Sequence, residues 1–218
     1  MSERMVSDLE LIHQLIEAGA EIVRRGLALA SGGNVSARTK DGVFVVSRAG
    51  AWLDQMSVDD FAIMSMDGQW VSGASPSSEW RLHQRTYQVR PDARAVVHVH
   101  PQHAVLLDAL RIPIRLLTLD HAFYVRSIGR TDYYPNGSQE LADSAAEQAR
   151  GHDCVVLGHH GCSTTGETVS MALRRALNLE EAATATYRAL LLGDTGTTFP
   201  PAALASLHHS SGEEPEST

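Results

Sequence analysis

The 218-residue chain has only two cysteines, Cys154 and Cys162. A chain of this length without an export signal needs no disulfide staple, so both thiols are expected to stay reduced. Basic residues are also scarce: 18 Lys+Arg stand against 26 Asp+Glu, for a formal net charge of −8. A phosphate backbone would be repelled on average, which argues against nucleic acid as a partner. No run of about 18 uncharged apolar residues occurs, so no membrane span is expected. The opening Met1-Ser2-Glu3-Arg4-Met5-Val6-Ser7-Asp8 lacks the basic and apolar regions of a signal peptide, and a soluble cytoplasmic protein is expected. Repeats, linkers and composition breaks are missing too, so residues 1–200 read as one domain. The Gly-, Glu- and Ser-rich stretch from Ser210 to Thr218 cannot bury enough apolar area to offset its ordering entropy, and 201–218 are expected to form a disordered tail. What the chain has in quantity is histidine, eleven in all.

Hydrophobic spacing gives the coarse architecture. Leu11, Ile12, Leu15, Ile16, Ile22 and Val23 recur at three- and four-residue steps, predicting a helix from Asp8 to Arg25 stopped by Gly26. The small residues Ser31-Gly32-Gly33-Asn34-Val35-Ser36 read as a loop, the Lys40-Asp41-Gly42 turn leads into a Val43–Val46 strand, and Phe61–Met66 reads as another strand. Ser77 or Ser78 can cap a helix that contains Trp80, Leu82 and Tyr87 and ends at Pro91. Ala93–His100 is a β-branched stretch, His103–Leu110 returns to helical spacing, Cys154–Leu157 is a buried strand, and Thr168–Leu192 is a long helix closed by Gly193. Alternating helices and strands predict a layered α/β domain.

His98-Val99-His100 carries the first chemistry. A strand's period of two puts both imidazoles on one face and turns Val97 and Val99 to the other, so the rings can share a cation. Catalytic zinc sites use three protein ligands and keep one position open. Gly158-His159-His160-Gly161, about 60 residues further on at the end of a second strand, can supply the third. A lone His-x-His is more often two half-buried histidines, but three apolar-flanked histidines are costly to bury unless something binds their lone pairs.

Glu79 opens the helix after Ser77-Ser78. An acidic residue in a first turn complements the helix dipole. Next to two hydroxyls and free backbone N–H groups, the same carboxylate could also carry a proton beside an anion cradle. Ser31–Ser36 adds a flexible backbone that an anionic group can approach closely.

In chain order, Gly33-Asn34-Val35-Ser36, Pro76-Ser77-Ser78-Glu79-Trp80, Arg90-Pro91-Asp92, Val96-Val97-His98-Val99-His100 and Leu157-Gly158-His159-His160-Gly161 resemble the class II aldolase and adducin head-domain family over roughly residues 8 to 192. The resemblance implies a single-domain three-layer α/β/α sandwich around a mixed, largely antiparallel sheet. It also implies Zn2+, or another divalent transition metal in its place, held by His98, His100 and His160, with His159 a neighbour, and Glu79 as a residue that ligates the resting metal and swings away to act as acid and base. In members with phosphorylated substrates the phosphate grip maps to Gly33, Asn34, Gly50, Ser77 and Ser78. The implied reaction is reversible retro-aldol cleavage of a ketose 1-phosphate, such as L-fuculose 1-phosphate, into dihydroxyacetone phosphate and a short aldehyde. Zinc would stabilise the enediolate left when the C3–C4 bond breaks. A four-fold homotetramer with active sites between subunits is implied as well.

Two positions depart from the family pattern. Ala49 replaces a threonine and Arg48 the proline before it; an arginine could restore a grip on phosphate or select a carboxylate. Leu117 stands where a tyrosine from a neighbouring subunit serves the aldehyde, with Tyr124, Tyr133 and Tyr134 as candidate substitutes that core packing explains as well. The family's decarboxylases and dehydratases are the alternative reading, which Arg48 would suit. Its sugar-phosphate 4-epimerases carry Asp in place of Glu79, and a metal-free adducin-like scaffold does not fit intact histidines.

Overall fold

The computed structural model describes residues 2–200 and 202–203, with side chains from Asp8 onward. The proposed tail at 201–218 lies, apart from 202–203, outside the described residues.

An eight-stranded mixed sheet organises the chain. Its strands are β1 (Asn34–Arg38), β2 (Val43–Ser47), β3 (Phe61–Ser65), β4 (Trp70–Gly73), β5 (Ala95–Val99), β6 (Ile128–Arg130), β7 (Cys154–Leu157) and β8 (Gly161–Gly166), in the order β4-β3-β2-β1-β5-β8-β7-β6. Every adjacent pair is antiparallel except β6 with β7. Helices α1 (Ser2–Arg24), α3 (Gln102–Ala109) and α5 (Val169–Leu191) cover one face; α2 (Trp80–Val89) and α4 (Gln139–Ala149) cover the other. This is a single-domain α/β/α sandwich. No described helix is long and apolar enough to cross a membrane.

Strand alternation assigns each face. Ala95, Val97 and Val99 pack with Leu15 and Ile22 of α1 and Ala172 and Ala176 of α5, whereas Val96 packs with Phe44, Val46 and Tyr87 on the α2 side. The alanines of α5 let it approach the sheet closely, and each fully buried Leu or Ile contributes about 1.5–3 kcal/mol. The end of α1 follows from Gly26, which sits at φ +71. Its N–H bonds to Val23 O, the Leu27 N–H bonds to Ile22 O, and Leu27 packs in the same cluster as Ile22, a Schellman stop with its apolar contact.

Three sequence expectations need correction. The first helix begins at Ser2 instead of Asp8. The stretch read as a loop through Ser36 turns to strand at Asn34, because Val35 and Ala37 both have a core to enter, at 0 % exposure. The cap of α2 is Glu79 itself, with no side-chain cap bond; the Ser77 hydroxyl instead accepts from the Glu79 N–H at 3.2 Å. Cys154 and Cys162 are free and buried, and burial pushes both thiols well above their usual range.

Candidate metal centre

The register of β1 against β5 places Asn34 opposite His98. His98 follows Val96 by two residues, so its ring shares the α2-facing side of the sheet. His100 lies just past the end of β5, where its N–H bonds to Leu27 O at 2.9 Å. His160 belongs to the tight turn joining β7 to β8, in which His159 adopts a left-handed φ of 53 and the His160 N–H bonds to Leu157 O at 3.0 Å. Gly161 has no room for a side chain: a Cβ there would sit 2.5 Å from Val99 O and 2.6 Å from the His100 ring. Gly33, at φ +79, is equally constrained, since its Cβ would fall 2.7 Å from His98 O.

Glu79, His98, His100 and His160 converge so that one ligand atom of each lies within 4.8 Å of all the others. His98 Nε2 is 3.1 Å from His100 Nε2 and 3.0 Å from Glu79 Oε2, and His160 Nε2 is 3.4 Å from Glu79 Oε1. Tetrahedral zinc bonds of about 2.0–2.1 Å require ligand atoms about 3.3 Å apart, so these spacings suit one small divalent cation. His98 Nδ1 donates to the Cys162 carbonyl at 3.0 Å, leaving its Nε2 lone pair for the centre. The same imidazole-to-carbonyl arrangement orients ligating histidines.

The electrostatics agree. Burial pushes His100 down to about 4 and also lowers His160; both rings are neutral at pH 7, with lone pairs to give. Burial raises the Glu79 carboxyl, but His98, His160 and the Asn34 amide outweigh it and hold the group below the usual carboxylate range. Glu79 Oε1 is buried and has no hydrogen-bond donor among the described residues. An orphaned carboxylate oxygen beside two neutral imidazoles is costly unless a cation shares the space.

The remaining expected site residues lie close by. Asn34 Nδ2 donates to Glu79 Oε2 at 3.0 Å. The Ser77 N–H bonds to Ser47 O, the Ala49 N–H to Ser75 O, and the Val35 N–H to Ser47 Oγ, so the segments carrying Asn34, Arg48–Gly50 and Ser77–Ser78 are stitched together. Ser77 is buried and Ser78 exposed; Gly50 turns the chain at φ +67 with open space beside it. Arg48 pairs through Nε with Asp60 and through Nη1 with Ala49 O. His159 is exposed and stands apart from the cluster, its N–H on Asp108 Oδ2. Tyr133 is exposed, Tyr134 packs beside Leu141, and Tyr124 lies against Phe123.

Sequence reasoning missed a second tier. Ser36, His83 and Tyr87 are all buried behind Asn34. The signal was present, because Glu79 and His83 are four apart on one helix and Asn34 and Ser36 two apart on one strand.

Known proteins agree with this architecture. The family described as Class II Aldolase and Adducin N-terminal domain matches residues 13–187. The 5-methylthioribulose-1-phosphate/5-deoxyribulose-1-phosphate aldolase of Rhodospirillum rubrum is 31% identical, over 86% of this chain and 85% of its own. The L-fuculose phosphate aldolase of Methanocaldococcus jannaschii is 33% identical, over 82% and 97%. The 3-oxo-tetronate 4-phosphate decarboxylase of Pectobacterium atrosepticum is 28% identical, over 83% and 84%. A solved L-fuculose 1-phosphate aldolase superposes with a TM-score of 0.86 at 25% identity, covering 93% of this chain and 96% of that one. With the family model spanning most of the chain and both sequence and fold in agreement, the chain belongs to the class II aldolase and adducin N-terminal domain family, as an enzyme of the class II aldolase type.

Proposed function

We propose that this protein is a zinc-dependent lyase that cleaves a ketose 1-phosphate, of the L-fuculose 1-phosphate kind, to dihydroxyacetone phosphate and a short aldehyde. The observation that carries the reading is the buried, unpartnered Glu79 Oε1 facing His160 in a cluster of three histidines. In this reading His98, His100 and His160 hold the cation, with Glu79 as a fourth ligand at rest. The chemistry the bound cation supplies is polarisation of the ketose carbonyl, which lowers the cost of breaking the neighbouring carbon–carbon bond.

The chain's own residues do the rest. Glu79 takes the C3 proton in the synthetic direction and returns it in cleavage, a transfer suited to a carboxylate held beside the reacting carbon. Asn34, Ser77, Ser78 and the backbone at Gly33 and Gly50 grip the phosphate, and Arg48 adds charge at the same rim. We further infer a domain spanning 1–200, a cytoplasmic location, and a homotetramer with sites between subunits, in which a neighbouring chain supplies the acid that Leu117 cannot.

A second reading, loss of carbon dioxide from a phosphorylated keto acid, is favoured by Arg48 and by the likeness to the tetronate phosphate decarboxylase. One experiment separates the two: ketose 1-phosphates and keto-acid phosphates are screened in parallel, with triose phosphate and carbon dioxide both measured. Triose phosphate release supports the aldolase. Carbon dioxide without triose phosphate replaces it with the second reading. Neither product from metal-loaded protein overturns both.

A further inference from the structure

Behind Glu79 a line of polar side chains runs into the core between β1 and α2. The Asn34 amide touches both Glu79 Oε2 and His83 Nε2, His83 Nδ1 lies 2.6 Å from Ser36 Oγ, and Ser36 Oγ lies 2.7 Å from the Tyr87 hydroxyl. Ser36 and His83 are both 0 % exposed and Tyr87 is 1 % exposed, so water does not compete for these bonds.

Each proton in this line is fixed by elimination. A carboxylate only accepts, so the Asn34 NH2 must face Glu79 and its Oδ1 must face His83. His83 Nε2 must then carry the ring's proton. Nδ1 is left bare and can only accept, so the Ser36 hydroxyl donates to it. The Ser36 oxygen in turn accepts from the Tyr87 hydroxyl. Two further observations fit this direction. Burial pushes His83 down to about 3, so the ring is neutral and has one N–H to place. Burial pushes the Tyr87 phenol well above its usual range, so it keeps a proton to donate.

We propose that His83 is a positioning residue for the metal centre: in the Nε2–H tautomer, with its bare Nδ1 accepting from Ser36, it holds the Asn34 amide with its NH2 group toward Glu79. This rests on the metal-binding reading of Glu79, but the tautomer can be measured without it. If the His83 ring took the other tautomer, its bare Nε2 would face Asn34 Oδ1. The amide would then flip and set its oxygen against the Glu79 carboxylate. A single proton deep in the core therefore governs whether Glu79 is supported or repelled. The second hydrogen of Asn34 Nδ2 remains available for a substrate oxygen, so the same arrangement orients the residue assigned to the phosphate grip.

The test uses the full chain labelled with 15N-histidine. Long-range proton–nitrogen spectra of metal-free and metal-loaded protein at about pH 7, with His83 assigned from the His83→Gln variant, are expected to show a bare Nδ1 and a protonated Nε2 in both states. An Nδ1–H tautomer or a charged ring overturns the proposal. Cobalt affinity, read from visible absorption, supplies the second arm. His83→Phe is expected to loosen cobalt about tenfold, the usual cost of losing a support behind a ligand, and His83→Gln, which keeps an N–H for Asn34 Oδ1, to recover most of that loss. Equal affinities in wild type and His83→Phe, or equal losses in Phe and Gln, overturn it. Should His83→Phe fail to fold, Ser36→Ala serves in its place: it leaves His83 Nδ1 without its donor and is expected to loosen cobalt, and an unchanged cobalt affinity counts against the proposal. Absence of lyase turnover with the expected tautomer and cobalt data would sink the functional proposal and leave this one standing.

Discussion

The Nε2 atoms of His98 and His100 stand 3.1 Å apart. His98 gives its only neutral-state proton to the Cys162 carbonyl, so its Nε2 is a lone pair aimed at its neighbour. Two such nitrogens rest stably at that distance when something positive lies between them.

Purified protein is therefore expected to hold about one zinc per chain. Chelation should lower the melting temperature, and His100→Ala should abolish both metal and activity while retaining the fold. The check is elemental analysis beside thermal unfolding with and without chelator. Metal-free protein with an unchanged melting temperature would sink the metal centre.

Glu79→Gln is expected to fold, because the glutamine occupies the same volume. It should slow proton exchange at C3 of dihydroxyacetone phosphate about 10²–10⁴-fold, the range for a lost general base. Deuterium wash-in measured by NMR needs no aldehyde partner, so the result does not depend on knowing the second product.

Gly161→Ala forces a methyl group against Val99 O and the His100 ring. Overpacking of this kind costs about 1–3 kcal/mol. Because the ring must shift to relieve it, metal affinity should fall as well. His159→Ala, beside it in the same turn but exposed and outside the cluster, should leave affinity unchanged. Parallel zinc titrations of the two variants distinguish a packing requirement from a general effect on the turn.

In metal-free protein the stability should depend on pH through His83. Its folded pKa of about 3 lies below the ordinary histidine value of 6.5, so the unfolded chain binds the proton more tightly. The neutral buried ring thus contributes fully above pH 6.5, and that contribution is lost as the pH falls toward 3, with a limiting slope of about 1.4 kcal/mol per pH unit. His100, pushed down to about 4, adds to the slope in the same direction. Denaturant unfolding of wild type and His83→Gln between pH 7 and about 4 isolates the His83 share, and parallel curves would refute it.

Much of this was legible in the sequence because the informative residues are local in their logic. His98 and His100 share a face by strand period, and the apolar spacing of α1 and α5 marks their buried stripes. The elements that escaped notice lack that signal. β8, Gly161–Gly166, is almost wholly small and polar yet buried throughout; its Thr164 hydroxyl is satisfied by the Ala172 carbonyl at 2.8 Å, a pairing that no hydrophobic pattern signals. α4 buries mostly alanines, too weakly apolar to stand out as a stripe. β6 has three residues and exists through its parallel pairing with β7. His83 was overlooked for a related reason: alone it resembles any core histidine, and its importance appears only when β1 brings Asn34 and Ser36 against it.

The two sides of the centre are built from different material. His98 leans on a peptide carbonyl at position 162, which no amino-acid replacement can delete so long as β8 keeps its place. Glu79 leans on Asn34 and, through it, on three more side chains, each one codon change from being lost. Drift in this lineage therefore has a fixed anchor on the imidazole side and adjustable screws on the carboxylate side. Basicity at the proton-handling end can be retuned, generation by generation, without surrendering the cation.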